Sequence, residues 1–308
     1  MPLSFYKLHL AASSALVVDR AKKENKIICA DVSRMEDIAR SLLNRHCGAG
    51  GRALVSLDDS WPPNARAFGP DGRERAGCED AWLCAARLAF DAGRGRSRNI
   101  TLACPDGQRQ YEALASGTLA TSLSARRILP GEGRVPGEQD APHAPRLDDT
   151  HRARGVRIIP IKTRYRDVWV VLSPAKGPGP RSLYRSMKTA LKEELQRMAA
   201  TGTRESPALV WAQVRGRELV RFLCPLSMER LVAASAASRA AEIAGLVGDS
   251  LVAEWAGPCG AVRYGTINAE SPRELVTRGR FWARMEDEDQ VLIAGSPEYA
   301  FEGSFEHD

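Results

Sequence analysis

The chain has no Cys-x-x-Cys pair, and its five histidines are spread without ligand spacing. A disulfide framework or a zinc site needs regular spacing of such residues. The seven cysteines, at positions 29, 47, 78, 84, 104, 224 and 259, are therefore expected to be reduced thiols, mostly small buried hydrophobes. No metal site is expected. No apolar run approaches the roughly 18 residues of a spanning helix, and Lys7 and His9 inside an amphipathic strand argue against a signal peptide. The expectation is a cytoplasmic protein with no membrane partner. There is no phosphate-cradling Gly-Lys-Ser/Thr loop and no G-x-G-x-x-G between strand and helix, so no cofactor is expected. The net charge of +6 does not point to nucleic acid, because the 44 basic residues are scattered among 38 acids without an aromatic-interleaved basic stripe.

What is present fits two domains of ordinary size within 308 residues. Residues 3–19 alternate as a strand, and Ser33 to Arg45 carries helical apolar spacing through Met35, Ile38, Ala39, Leu42 and Leu43. Cys78 to Phe90 reads as a strongly apolar helix. Short strands follow over Asn99–Cys104, Arg109–Ser116 and Thr118–Leu129, separated by Pro-Asp-Gly and Ser-Gly turns. The order then repeats: strands near 157–172, an amphipathic helix over Arg181–Met198, strands over Ala208–Leu223, a helix over Met228–Leu246 and hairpin strands over Leu275–Phe305. The predicted organisation is a first half at 1–129, a Pro/Gly-rich linker at 130–154 and a second half at 155–308.

One segment carries most of the information. Phe68, the Asp71-Gly72 turn, Cys78, Cys84 and the Ala86-Arg87 pair fall in step with the first active-site segment of the diaminopimelate epimerase family, which the chain resembles. Lys7 to Asp19 is similar to that family's opening strand, with Ser13 in place of a substrate-binding Asn. Arg45 to Arg52 resembles its R-H-x-G-V-G-A-D, with Arg52 in place of the Asp. The resemblance implies an α/β (α+β) protein of two similar halves, each a mostly antiparallel sheet around a central helix, with a catalytic cleft between them.

The same comparison marks losses. The Gly-Asn-Gly whose amides hold the substrate carboxylate has become Glu79-Asp80-Ala81, and acids repel such an anion. Across Arg217 to Ser238 the family's second catalytic cysteine falls on Ala233, and its Glu-Arg pair on Cys224-Pro225. Two-base inversion needs one group to remove the α-proton and another to return it. Alanine at 233 breaks that mechanism.

The candidate catalytic residues are therefore Glu79, Cys78 and Asp80, and the candidate substrate contacts are Arg52, Ser13, Trp82, Cys224 and Ser235, with Asp71 and Ser238 also expected near the cleft. A carboxyl in a partly apolar cleft serves as acid and base near neutral pH, and Arg52 can clamp a substrate carboxylate. Each has a plainer reading. First-turn acids stabilise a helix by ~0.3–1 kcal/mol without any other role, Trp82 can be core, Ser235 and Ser238 allow close packing, and Asp71-Gly72 is a structural turn. The leading expectation is a cofactor-independent enzyme acting on an amino acid, with Pictet–Spengler cyclisation of tryptophan with an aldehyde co-substrate to a β-carboline as the specific form. That reading leans on a resemblance of residue types, Glu79 and Arg52, to bacterial β-carboline synthases. A one-base amino-acid epimerase, with Cys78 on one face and Cys224, Glu229 or water on the other, and a catalytically inactive binding partner are the alternatives. Oligomeric state stays open, a homodimer included.

Overall fold

A computed structural model describes residues 2–11, 13–29, 32–114, 117–128, 155–187, 207–225, 227–256 and 280–306. The linker expected at 130–154 and the second part of the helix expected over Arg181–Met198 lie outside them. The chain divides into two compact units, one including Met1–Thr121 and Ala294–Asp308, the other drawn from Ser122–Glu274 and Gly279–Ile293. The division differs from a plain split into 1–129 and 155–308, because the last strand pairs with the first.

In the first unit the strands are β1 (Leu3–Leu10), β2 (Ser13–Asp19), β3 (Ala53–Leu57), β4 (Ala65–Phe68), β5 (Glu74–Arg75), β6 (Asn99–Cys104), β7 (Gly107–Ala113) and the start of β8 (Leu119–Arg127). With β16 (Glu298–Phe305), a six-stranded sheet runs β16-β1-β2-β3-β4-β5. Only β2 and β3 pair in parallel within it. The single strand expected over 3–19 is a hairpin, turned at Ala11, which takes a positive φ of 49°. Helices α1 (Lys23–Ile28) and α2 (Val32–Leu42) form the crossover between the parallel strands. One face of α2 presents Met35, Ile38, Ala39 and Leu42 to a core with Leu3, Phe5, Leu16 and Phe68.

In the second unit β9 (Arg157–Thr163), β10 (Asp167–Ser173), β11 (Ala208–Val214) and β12 (Leu219–Leu223) repeat the antiparallel, parallel, antiparallel pattern of β1 to β4. With β13 (Ser250–Trp255), β14 (Arg280–Met285) and β15 (Gln290–Gly295), the sheet continues to β15, which also pairs with β8 and closes the ring. Two strands with parallel neighbours, β3 and β11, are buried at every position. The solvent-facing β7 alternates.

A central helix occupies each unit: α3 (Glu79–Asp91) against β1 to β4, β6 and β7, and α4 (Arg230–Ile243) against β9 to β14. A helix wrapped by strands must be apolar all round. Ten of 13 residues in α3 and 12 of 14 in α4 are buried. Both stop the same way. Gly93 follows α3 at φ 72° and Gly245 follows α4 at φ 69°, the left-handed position that ends a helix by returning N–H groups to its last carbonyls. Arg94 N donates to Ala89 O at 2.9 Å and Leu246 N to Ala241 O at 3.0 Å. At the barrel seam, buried Arg239 donates to Ala125 O (2.9 Å), Gln290 O (2.7 Å) and Asp287 O.

Candidate functional site

The turn at Asp71-Gly72 and the short β5 deliver the chain to α3. Gly72 takes φ 80°, closed by Gly72 N to Gly69 O at 2.9 Å. Asp71 is exposed and accepts from Arg75 Nη2 at 3.3 Å, so it belongs to the turn. Cys78 is the N-cap of α3, buried, with Trp82 N donating to its carbonyl at 2.8 Å. Glu79 and Asp80 fill the first turn and are 1% and 2% exposed.

That burial changes their meaning. Carboxylates out of water need charged or hydrogen-bonding partners, and this unit supplies two arginines. Arg109 on β7, 5% exposed, places Nε 3.2 Å from Glu79 Oε1 and Nη2 2.6 Å from Asp106 Oδ2. Arg52 Nη1 lies 4.0 Å from Asp80 Oδ2. Glu79 and Asp80 are therefore not surface first-turn acids, and part of Arg52's charge is directed at its own chain. The sequence reading missed Arg109 and Asp106. The Pro-Asp-Gly turn at 105–107 was visible, but nothing local ties residue 109 to residue 79.

Trp82 is 0% exposed and its Nε1 donates to Ala76 O at 3.0 Å. It packs α3 and presents no ring face for stacking a substrate. Ser13 is buried on β2, paired with Leu10.

In the second unit α4 starts earlier than the family register implies. Its N-cap is Glu229, half-buried, in extended backbone at φ −65°, ψ 136°. Ala233, 0% exposed, is the fourth residue of the helix. Counted from the N-caps, Glu229 is the counterpart of Cys78 and Ala233 that of Trp82. Counted from the terminal glycines the correspondence shifts by one, and Ala233 still falls inside the helix. Arg230, fully buried, donates from Nη1 to Cys224 Sγ (3.1 Å), Pro225 O (3.1 Å) and Met228 O (2.9 Å), with its guanidinium 4.8 Å from the Trp255 ring centre. Ser235 Oγ turns back to Val232 O at 3.0 Å and Ser238 is wholly buried. Ser235 is a packing residue, and Cys224 is held by Arg230. The structure thus groups Cys78, Glu79, Asp80 and Arg52 at one helix start, and places Cys224 and Ser235 in the other unit. Among the described residues no cluster of three or more His, Cys, Asp or Glu is arranged to hold a metal, and no helix is long and apolar enough to cross a membrane.

No protein-family model matches the chain. It is 27% identical over 159 residues to an O-ureido-serine racemase from Streptomyces lavendulae, covering 48% of this chain and 51% of the racemase. It is 27% identical over 133 residues to a diaminopimelate epimerase from Geobacillus thermodenitrificans, covering 42% of this chain and 43% of the epimerase. The chain thus spans about half the length of the curated relatives it matches. Among solved structures, a phenazine biosynthesis protein of the PhzF family from Enterococcus faecalis aligns over 100% of both chains with a TM-score of 0.57 at 13% identity. At that identity the likeness establishes the fold, which is of the diaminopimelate epimerase and PhzF kind.

Proposed function

We propose that this protein is an amino-acid isomerase of the racemase and epimerase type in which one thiol, Cys78, moves the α-proton. The observation that carries this reading is positional: Cys78 is the N-cap of the buried central helix of its unit. Position 233, where the family pattern would put a second thiol, is a packed alanine. The positive end of a helix favours an anion, so the thiol is well placed to hold charge after giving up a proton. In one direction the thiolate of Cys78 takes the α-proton, forming S–H as the C–H bond breaks, and water returns a proton to carbon on the other face. In the other direction the roles exchange. Arg52, partly exposed beside Asp80, is the cation proposed to receive the substrate carboxylate.

Racemase and epimerase relatives support this reading. They lend none to cyclisation of tryptophan with an aldehyde. That reaction asked Glu79 to act as acid and base beside a stacking Trp82, whereas Glu79 is engaged by Arg109 and Trp82 is sealed in the core. Diaminopimelate itself is not the expected substrate, since the turn whose amides would hold its carboxylate now carries the acids Glu79 and Asp80, which repel an anion. The test is α-deuterium incorporation in deuterated water across a panel of free amino acids. Exchange with inversion for at least one member, lost in Cys78→Ala, is expected. No exchange with any member would favour an inactive binding partner instead.

A further inference from the structure

We infer that Lys7 is a positioning residue: its ammonium ties the loop at 44–52 to the six-stranded sheet and so fixes where Arg52 presents its guanidinium to the substrate carboxylate. This role rests on the function proposed above. It adds to the site a strand residue that sequence reasoning left outside the candidate contacts.

Lys7 stands where the pattern of β1 asks for an apolar side chain. Alternate residues of a strand share a face, and Leu3 and Phe5, on the face of Lys7, belong to the core on which α2 packs. Across the ladder Lys7 pairs with Leu16, another member of that core. An ammonium half-buried at the rim of such a core gives up water and needs an acceptor in exchange. Its Nζ donates to Ala49 O at 2.7 Å, with the Phe301 ring centre 5.5 Å away. Ala49 itself packs against the same core. Methionine or leucine would serve a packing role at position 7, but neither could reach that carbonyl with a donor.

The rest of the loop shows what the tie controls. Gly50, at φ 67°, donates its N–H to Leu42 O at the end of α2 (3.1 Å), and Arg52 N donates to Ser14 O on β2 (2.8 Å). Gly48 lies so close to α2 that a Cβ there would run into the carbonyls of Ser41 and Leu42. These contacts are made by backbone alone. Lys7 adds a charged side chain from β1 that grips the carbonyl of Ala49, between Gly48 and Gly50 and just ahead of Arg52. A hydrogen bond from an ionised donor is stronger than a neutral one, so it stiffens a stretch rich in glycine. At the end of that stretch Arg52 Nη1 stands 4.0 Å from Asp80 Oδ2, at the start of α3. Misplacing a substrate-positioning group by about 1 Å can cost as much as about 10²-fold.

Two substitutions in the full chain test the role. Lys7→Met keeps an apolar stem and removes the donor, and Lys7→Arg keeps a cation able to donate to the same carbonyl. Both should retain the melting profile of the wild type. Hydrogen exchange read by mass spectrometry should quicken about tenfold in peptides covering 44–52 of Lys7→Met, and stay near wild type in Lys7→Arg. On an amino acid that the wild type isomerises, Lys7→Met should raise KM about tenfold with kcat within about twofold, and Lys7→Arg should recover most of the difference. Unchanged loop exchange in Lys7→Met would overturn this role alone, whatever the substrate. A loosened loop with unchanged KM, or with kcat lost in place of affinity, would overturn it too. No turnover of any amino acid by the wild type would overturn the proposed function, and this role with it.

Discussion

The starts of α3 and α4 occupy equivalent places in two similarly built units, yet one is crowded with ionic partners and the other is mostly apolar. At α3 the first turn carries Glu79 and Asp80, buried against Arg109 and Arg52. At α4 it carries Leu231, Val232 and Ala233, with Arg230 bonded to carbonyls and a thiol. A repeated scaffold thus preserves helix length, wrapping strands and the glycine stop, while side chains at the helix starts diverge. Only the N-caps still offer a group able to move a proton in both units.

The sharpest way to break this contrast is to remove the arginine from each start. Arg109→Met leaves buried Glu79 and half-buried Asp106 without their guanidinium and should cost about 3–5 kcal/mol, read by denaturant unfolding. Glu79→Gln should also destabilise, rather than leave folding unchanged as a surface first-turn acid would. Arg230→Met leaves carbonyl acceptors without a donor and should cost less, about 1–3 kcal/mol. Equal losses at the two arginines would mean that the ionic contrast does not matter to folding.

Placing a thiol where the family register expects one is the next test. Ala233 has no exposed surface, so Ala233→Cys should overpack α4 and cost about 1–3 kcal/mol, without raising deuterium exchange. A gain in exchange would restore position 233 to the chemistry.

Cys29 provides a reference thiol within the first unit. Burial pushes it up to about 11, against weaker lowering by Arg20 and Arg34. A folded-state value above the unfolded one means the contribution to stability is complete below about pH 9 and fades as the pH rises toward 11, because the unfolded chain releases the proton first. Cys29→Ala should flatten that alkaline decline. The smallest effect is expected at Arg66, whose Nη2 lies 2.6 Å from Glu74 on the surface; Arg66→Ala should change stability by at most about 1 kcal/mol.

Much of this was legible in the residues, in physical terms that also explain the gaps. Helical periodicity located α2, α3 and α4, and the motif around Cys78 pointed to the fold. The hairpin at Ala11 was invisible because no glycine marks its positive φ. The pairing of β16 with β1 joins residues nearly a chain length apart, where local pattern carries no signal. Arg109 was missed for the same reason at 30 residues' separation. Motif spacing sets Ala233 against the family's second thiol, and the structure makes it the fourth residue of α4, which starts at Arg230 within the helix expected over Met228–Leu246.

The central claim, that the N-cap thiol of α3 carries the proton transfer, is tested most directly by single-turnover α-deuterium exchange on one responsive amino acid with three proteins: wild type, Cys78→Ala and Cys224→Ala. A loss of about 10²–10⁴-fold in Cys78→Ala, with Cys224→Ala near wild type, is predicted. Full exchange in Cys78→Ala, or a loss confined to Cys224→Ala, would contradict the account.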